Sequence, residues 1–162
     1  MILFRPMCED EYPAYLDYFI PDYAAEIAAN YGLSPSAALA QAQREIAEDL
    51  PDGVNTCGQV LLCLLNHVEG VETRIGYLWY KPDVKTRSAF ICDFYISPVF
   101  QGQGLGKQAM TAFERELASK GFMQIKLRVA GDNQRASHVY EATGFRVTGV
   151  NMSKNIPLDS SD

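Results

Sequence analysis

The sequence predicts a single α/β domain built on a mixed β-sheet. The order of hydrophobic periodicities along the 162 residues is strand, two helices, three strands, helix, strand, helix and one or two strands. This order corresponds to about six to seven strands and four helices. Ser88–Ile96 is almost entirely apolar or aromatic, which is typical of a central strand buried on both faces. Met123–Val129 alternates apolar and polar residues, as a half-buried strand does.

The first half of the chain opens with a short strand, Ile2–Arg5, followed by two helical patterns. The first pattern spans Glu9–Asn30, and we expect an interruption at Ile20–Pro21 because the residue before a proline resists helical backbone angles. Ser34 and Pro35 are typical of a helix start, with serine as the N-cap and proline in the first turn. The remaining predicted elements of this half are a helix to Leu50 and strands at Gln59–Leu65, Glu72–Tyr80 and Ser88–Ile96.

The second half shows clearer periodicity. Apolar residues recur at helical spacing over Leu105–Leu117, and Gly121 closes that helix. Asn133 is the N-cap of another helix. A further strand is predicted from Gly144-Phe145, and a last strand at Asn151–Ile156.

Composition limits the classes of partner. The net charge is −6 and no run of Lys or Arg occurs, so neither nucleic acid nor an anionic membrane is an expected partner. The longest apolar run, near Val60–Leu65, is too short to span a bilayer. Met1–Arg5 lacks the pattern of a signal peptide. We therefore expect a cytoplasmic protein, with one domain over residues 1–156 and a flexible tail over 157–162.

The cysteines favour the same compartment. The four cysteines form no CxxC pair, which is typical of reduced thiols in a cytosolic protein. Cys57, Cys63 and His67 have a spacing that fits no familiar zinc site, and Cys63 lies in an apolar strand. No metal site is therefore expected. The cysteines are Cys8, Cys57, Cys63 and Cys92.

The most informative stretch is the glycine-rich segment Gln101-Gly-Gln-Gly-Leu-Gly106-Lys107, which follows a buried strand and opens a helix. Its glycines allow a tight turn and a close approach of the backbone to a ligand. The first turn of the helix directs free N–H groups and the positive end of the helix dipole at that ligand. Lys107 adds a positive charge. The sequence therefore predicts an anion site suited to a pyrophosphate.

Three known kinds of phosphate loop can be compared with this segment. A Rossmann fingerprint requires Gly-x-Gly-x-x-Gly, but here one spacer residue is missing before Gly106. A Walker loop requires a first glycine where Gln101 stands and a Ser or Thr where Gln108 stands. Gln/Arg-x-x-Gly-x-Gly is satisfied by Gln101, Gly104 and Gly106, and it resembles the acetyl-CoA signature of the GNAT acetyltransferase superfamily. A glycine-rich helix entry without a ligand is the remaining alternative.

Residues after the loop strengthen this resemblance. Family members have an Asn after the next strand and a helix ending in Tyr-x-x-x-Gly-Phe, which here are Asn133 and Tyr140-Glu-Ala-Thr-Gly144-Phe145. Phe94–Phe145 is similar to the family core in order and spacing, and residues 150–156 resemble an uncharacterised bacterial subgroup. The resemblance implies a mostly antiparallel sheet in which the strand ending at Ile96 splays from the strand ending at Val129.

The resemblance also implies acetyl-CoA as the cosubstrate, bound with its pantetheine arm between the splayed strands. An amine then attacks the thioester carbonyl directly, and backbone N–H groups near Tyr95 and Ile96 polarise that carbonyl. The cofactor-binding residues that the resemblance implies are Tyr95, Ile96, Gln101, Gly102, Gln103, Gly104, Leu105, Gly106, Lys107, Asn133, Ala136 and Tyr140.

Tyr140 is the catalytic residue that the resemblance indicates most directly. A tyrosine at this position hydrogen-bonds the leaving sulfur in the family and can protonate it. Without the motif, its helical spacing with Ala136 and Thr143 would indicate a residue of the core.

The general base is not fixed by the sequence. Arg128 stands where some relatives have a carboxylate, and it cannot accept a proton; we expect it instead to bind the acceptor or to pair with a carboxylate. Asp93 is the second catalytic candidate, although alternation turns it away from Cys92 unless a bulge changes the phase. A water relay from Glu11 or Glu26 is a further alternative.

The leading functional prediction is thus an acetyl-CoA-dependent N-acetyltransferase acting on a primary amine. A non-catalytic acyl-CoA-binding or sensing module is the alternative, supported by the lack of a clear base. A nucleotide-binding regulator is disfavoured by the loop spacing. The sequence identifies neither the acceptor nor the physiological acyl group, and it is compatible with a homodimer.

Overall fold

The computed structural model describes residues 1–157, which form a mixed α/β fold with one sheet of five strands and four α-helices. The strand order is β1-β2-β3-β4-β5; three neighbouring pairs are antiparallel, and the pair of β4 with β5 is parallel. The strands are β1 (Ile2–Pro6), β2 (Val60–Val68), β3 (Val71–Asp83), β4 (Ser88–Ile96) and β5 (Gln124–Leu127). The helices are α1 (Tyr12–Tyr31), α2 (Pro35–Asp49), α3 (Leu105–Ser119) and α4 (Gln134–Ala142).

The chain divides into two compact units. One comprises Met1–Tyr12 and Asp52–Arg146 and contains the whole sheet, α3 and α4. Its core lies where α3 packs on one sheet face, because the helix presents apolar residues at helical spacing to the apolar positions of the strands. Phe113 is 1% exposed and its ring contacts those of Phe4 and Tyr80. Burial of a phenylalanine contributes roughly 1.5–3 kcal/mol.

The other unit contains most of α1, together with α2. One prediction about α1 is wrong. The expected interruption at Ile20–Pro21 is absent, and Pro21 lies inside one continuous helix. Stacked rings continue across the proline, with centroids 5.6 Å apart for Tyr15 and Phe19 and 5.5 Å apart for Phe19 and Tyr23. These aromatic contacts at i, i+4 spacing offset the lost backbone hydrogen bond. Ser34 caps α2 as predicted, its Oγ accepting the Ala37 N–H.

The prediction that β4 is buried on both faces is wrong for its second half. The first residues are mostly buried, but every residue from Cys92 to Ile96 is only partly buried. The parallel pairing with β5 covers Ser88–Ile91 and stops there, so the rest of β4 has no strand on that side. β4 and β5 therefore part at the end where the glycine-rich segment begins.

The number of strands is lower than predicted. Within residues 1–157, neither the strand expected from Gly144-Phe145 nor the one expected at Asn151–Ile156 is formed, and β5 is shorter than Met123–Val129. Val147 and Met152 are 69% and 91% exposed, so the apolar residues of this segment cover no surface. Of the predicted tail, residues 158–162 lie outside the described part of the chain. In residues 1–157, no helix is both long and apolar enough to cross a membrane.

Two β-bulges decide which side chains share a sheet face. Tyr80 pairs with Ile91 and Trp79 with Asp93, so Cys92 is an extra residue on β4. Ile75 is likewise an extra residue on β3, between the partners of the adjacent residues Leu64 and Leu65 of β2. Each bulge reverses the alternation of the residues beyond it.

Candidate active site

The glycine-rich segment connects β4 to α3 through backbone conformations that favour glycine. Gly102 and Gly104 have φ of 80° and 78°, in the left-handed region. A Cβ at either position would meet no atom within 4 Å, so this side of the loop is open. Gly104 is the N-cap of α3 and has no side chain to offer as a cap, so the first N–H groups of the helix are available to a ligand. The loop thus has the geometry of an anion site.

Side chains next to these glycines differ in what they can offer. Leu105 is 7% exposed and belongs to the core, so its N–H rather than its side chain is available to a ligand. Lys107 is exposed on the first turn of α3. A Cβ at Gly106 would lie 3.8 Å from Val139 Cγ1, which is an ordinary contact, and its φ is not positive. Position 106 therefore tolerates a side chain, whereas position 104 favours glycine.

Gln101 fixes the start of the loop. Its Nε2 donates to the Ile96 carbonyl over 2.8 Å, and its Oε1 accepts a hydrogen bond from Arg135 Nη1. Gln101 therefore connects the end of β4 to the first turn of α4. Sequence reasoning missed Arg135, although a cation two residues after the Asn133 cap was a signal that could have identified it.

At the end of β4, the backbone N–H and C=O groups of Ile96 face the gap between β4 and β5. The Ser97 N–H donates to the Ile75 carbonyl of β3, so the polar groups of Ile96 face away from β3. The Tyr95 carbonyl faces β3, since a Cβ at Gly76 would lie 1.8 Å from its oxygen. Only glycine fits at position 76, which sequence reasoning also missed. Tyr95 therefore contributes its side chain to a sheet face, whereas Ile96 contributes its backbone to the gap.

Helix α4 brings Tyr140 to this region. Asn133 caps the helix, its Oδ1 accepting the Ala136 N–H over 3.1 Å, as its predicted N-cap role requires. The Tyr140 ring contacts those of Phe94 and Phe145, at centroid distances of 6.4 and 5.6 Å. Burial, and secondarily the charge of Asp93, raises the pKa of Tyr140 to about 12. The phenol therefore stays protonated at neutral pH and keeps an O–H group that can donate a hydrogen bond.

The other two predicted side chains lie in the second half of β4 and directly after β5. The bulge at Cys92 places Asp93 opposite Trp79, on the same face as Tyr95 and its partner Tyr77, and not on the core face of Ile91. Asp93 is partly buried and near enough to Tyr140 for its charge to act on the phenol. Arg128 is exposed and directly follows β5.

A row of paired residues crosses the sheet on the face of Asp93. Arg5 pairs with Cys63, Cys63 with Tyr77, and Tyr77 with Tyr95. Glu11 is hydrogen-bonded by Arg5 over 2.8 and 2.9 Å. This bond to Arg5 is the largest of several causes that lower the pKa of Glu11 to about 2. A carboxylate with so low a pKa is a weak base, which disfavours Glu11 as a proton acceptor.

An open depression of about 650 Å³ lies at the other end of β4. Lys81, Lys85 and Lys126 are among the residues that line it, and none of the predicted site residues does. The residues predicted for the site lie instead in the second half of β4 and in the segments that follow it.

Comparisons with known proteins give a consistent result. The model of the Acetyltransferase (GNAT) family matches residues 22–145. The uncharacterized N-acetyltransferase YycN of Bacillus subtilis (strain 168) is 32% identical over 157 residues, covering 96% of this chain and 99% of that protein. Its crystal structure has a TM-score of 0.88 at 31% identity, over 98% of this chain and 100% of that one. PaiA N-acetyltransferase of Thermoplasma acidophilum, solved with coenzyme A, shares the fold at a TM-score of 0.66 and 15% identity, over 93% of each chain.

Proposed function

We propose that this chain, which belongs to the GNAT family of acetyltransferases, transfers an acetyl group directly from acetyl-CoA to a primary amine while both are bound. Acetyl-CoA is the cosubstrate of the enzyme and supplies an activated thioester. The single observation that most supports the proposal is the open, glycine-rich loop at the point where β4 and β5 part, with Tyr140 beside it.

The loop fits the phosphate groups of a CoA molecule. The open side of Gly102 and Gly104 leaves room for an anion, and the N–H groups at the start of α3 point to that room. We expect Gln101, Gln103 and Lys107 to flank the pyrophosphate, while Leu105 and Gly106 bind it through backbone N–H groups. Asn133 and Ala136 would line the other side of the arm at the start of α4.

At the thioester, the chain supplies hydrogen-bond donors. The backbone N–H of Ile96 faces the gap and would polarise the carbonyl of the acetyl group, while Tyr95 forms the adjacent face. The Tyr140 hydroxyl would donate to the departing sulfur. With a pKa of about 12 it is a poor source of a free proton for a thiolate of pKa about 8.5, so stabilisation by a hydrogen bond is its main contribution.

Asp93 is the proposed proton acceptor for the incoming ammonium group. It lies on the sheet face of Tyr95 and its charge acts on Tyr140, which supports an amine beside it being close to the reacting carbonyl. Arg128, exposed after β5, is the proposed contact for the rest of the acceptor. Its guanidinium favours an acceptor that carries an anionic group.

Steady-state release of CoA thiol from acetyl-CoA, measured with a panel of primary amines, tests the proposal. We expect release that depends on the amine, an acetylated product by mass spectrometry, and intersecting initial-rate lines when both substrates are varied. Parallel lines would contradict direct transfer, because they indicate a covalent acetyl-enzyme. Binding of acetyl-CoA without release in any amine would indicate the non-catalytic acyl-CoA module instead.

A further inference from the structure

The sheet face that contains Asp93 also contains Arg74, which shares a single carboxylate, that of Glu11, with Arg5. Arg5 donates to both oxygens of Glu11, so this pair is close to neutral as a unit. Arg74 Nη1 lies 3.7 Å from Glu11 Oε2, beyond hydrogen-bond distance. With two guanidinium groups and one carboxylate, the cluster keeps a net positive charge.

The charge of Arg74 lies over an aromatic surface that leads to the proposed reaction centre. Its guanidinium carbon is 5.2 Å from the centre of the Tyr77 ring, a cation–π contact. The Tyr77 ring stacks in turn on Tyr95, with centroids 6.2 Å apart and planes 10° from parallel. Tyr95 directly precedes Ile96, whose N–H is the proposed donor to the thioester. Two ring contacts therefore connect Arg74 with the end of β4.

The bulge on β3 is the reason that Arg74 reaches this face. Ile75 is the extra residue, and its side chain lies in the core on the α3 side, where it is 1% exposed. The side chain of Arg74 consequently lies on the opposite side, over Tyr77. The bulge at Cys92 brings Asp93 to the same face. Two irregularities thus place a guanidinium and a carboxylate on one surface, with Tyr77 and Tyr95 between them.

We infer that Arg74 binds a carboxylate of the acceptor, so that the acceptor class is a primary amine that also carries a carboxylate several atoms from its nitrogen. This inference rests on the proposed acetyltransferase function. The ammonium end lies beside Asp93, and the carboxylate end lies against the guanidinium of Arg74. The aliphatic part between them packs on the partly exposed Tyr95, since Tyr77 is only 5% exposed and lies beneath the guanidinium. The side chain of Arg74 is 43% exposed, so its N–H donors are accessible to such a ligand.

A purely structural role for Arg74 would leave acceptor choice unchanged, and this difference can be measured. The probes are ω-amino acids from β-alanine to 6-aminohexanoate, each compared with the alkylamine of the same carbon number, at saturating acetyl-CoA. In the wild type we expect at least one amino acid to exceed its alkylamine in kcat/KM by about ten- to a hundredfold, the effect of charge-assisted hydrogen bonds. The difference should arise mainly in KM.

The variant Arg74→Gln should lose most of this preference, because kcat/KM for the amino acids falls towards that for the alkylamines, while its affinity for acetyl-CoA stays unchanged. Arg74→Lys should retain part of it, since it keeps the charge but not the planar pair of donors. Arg115→Ala, on the exposed surface of α3, is the matched control and should keep the wild-type preference.

Two results would overturn the inference while leaving the proposed function intact. One is a wild type whose kcat/KM for each alkylamine equals that for the matching amino acid. This result can be obtained without any variant. The other is a preference in Arg74→Gln that is as large as in the wild type. Failure of both series to release CoA would instead contradict the proposed function, and the inference with it.

Discussion

The carboxylate of Asp93 acts electrostatically on the Tyr140 phenol, and burial, with this charge as the smaller cause, raises the pKa of the phenol to about 12. Tyr140 is therefore a hydrogen-bond donor over the whole physiological range. Tyr140→Phe should keep acetyl-CoA affinity and lower kcat by about ten- to a thousandfold, the effect of one lost donor. Calorimetry and steady-state kinetics check this. Unchanged turnover would indicate that Tyr140 only packs in the core with Phe94 and Phe145 and has no catalytic role.

The role of the loop in CoA binding can be tested by substituting two of its glycines, of which only Gly104 has a backbone conformation that favours glycine. Gly104→Val should abolish CoA binding, because position 104 has a φ of 78° and a branched side chain would fill the open space at the N-terminus of α3. Gly106→Ala should change the affinity little, since its Cβ would make only ordinary contacts. The measurement is calorimetric titration with CoA, with circular dichroism to confirm folding. Equal affinities for CoA in Gly104→Val and the wild type would contradict the assignment of the loop to the CoA site.

Glu11 gives a prediction about stability at low pH. Its pKa is lowered from 4.5 to about 2 by Arg5, so the folded state binds fewer protons than the unfolded state between these values. The stabilisation is therefore complete above pH 4.5 and is lost as the pH falls towards 2. Glu11→Gln should cost about 1 kcal/mol at pH 7, near the upper limit for exposed ion pairs, and should weaken the loss of stability with acid.

Urea unfolding at several pH values from 7 to 3 measures this effect. The control is Glu114→Gln on the exposed surface of α3, which should follow the wild-type dependence. If Glu11→Gln and the wild type lost stability in parallel as the pH fell, the ion pair with Arg5 would not contribute.

Arg128 is predicted to influence the choice of acceptor. An exposed cation next to the amine would repel a polyamine and attract an acidic group, so carboxylate-bearing amines should outperform spermidine. Arg128→Ala should reduce that advantage by about five- to tenfold, which corresponds to roughly 1 kcal/mol. Acceptor competition assays in the two proteins check this. A ranking that is unchanged in Arg128→Ala would indicate that Arg128 only pairs with a carboxylate of the protein.

Most of the regular structure follows from the sequence because periodicity and caps are local signals. The start of α2 at Ser34, the cap of α4 at Asn133 and the bounds of β4 agree with the predictions. The continuity of α1 across Pro21 does not, since it depends on ring stacking that no propensity describes. The missing strands after Gly144 show the same limit, because an apolar pattern forms a strand only if a partner covers it.

The backbone shape of the glycine-rich loop was predictable from its motif, whereas the direction of side chains beyond a bulge was not. The positive φ angles of Gly102 and Gly104 agree with the glycine spacing. The common face of Asp93 and Arg74 could not be derived, because each bulge inserts one residue without a distinct sequence signal. Register between strands is a tertiary property, and alternation alone assigns the wrong face beyond a bulge.

A crystal structure with bound CoA tests the central claim most directly. We expect the pyrophosphate to accept hydrogen bonds from the N–H groups between Gln103 and Gly106, and the pantetheine arm to lie between β4 and β5. The sulfur should lie within hydrogen-bond distance of the Tyr140 hydroxyl. CoA bound away from the loop, or a sulfur far from both Tyr140 and Ile96, would contradict the proposed acetyl-transfer site.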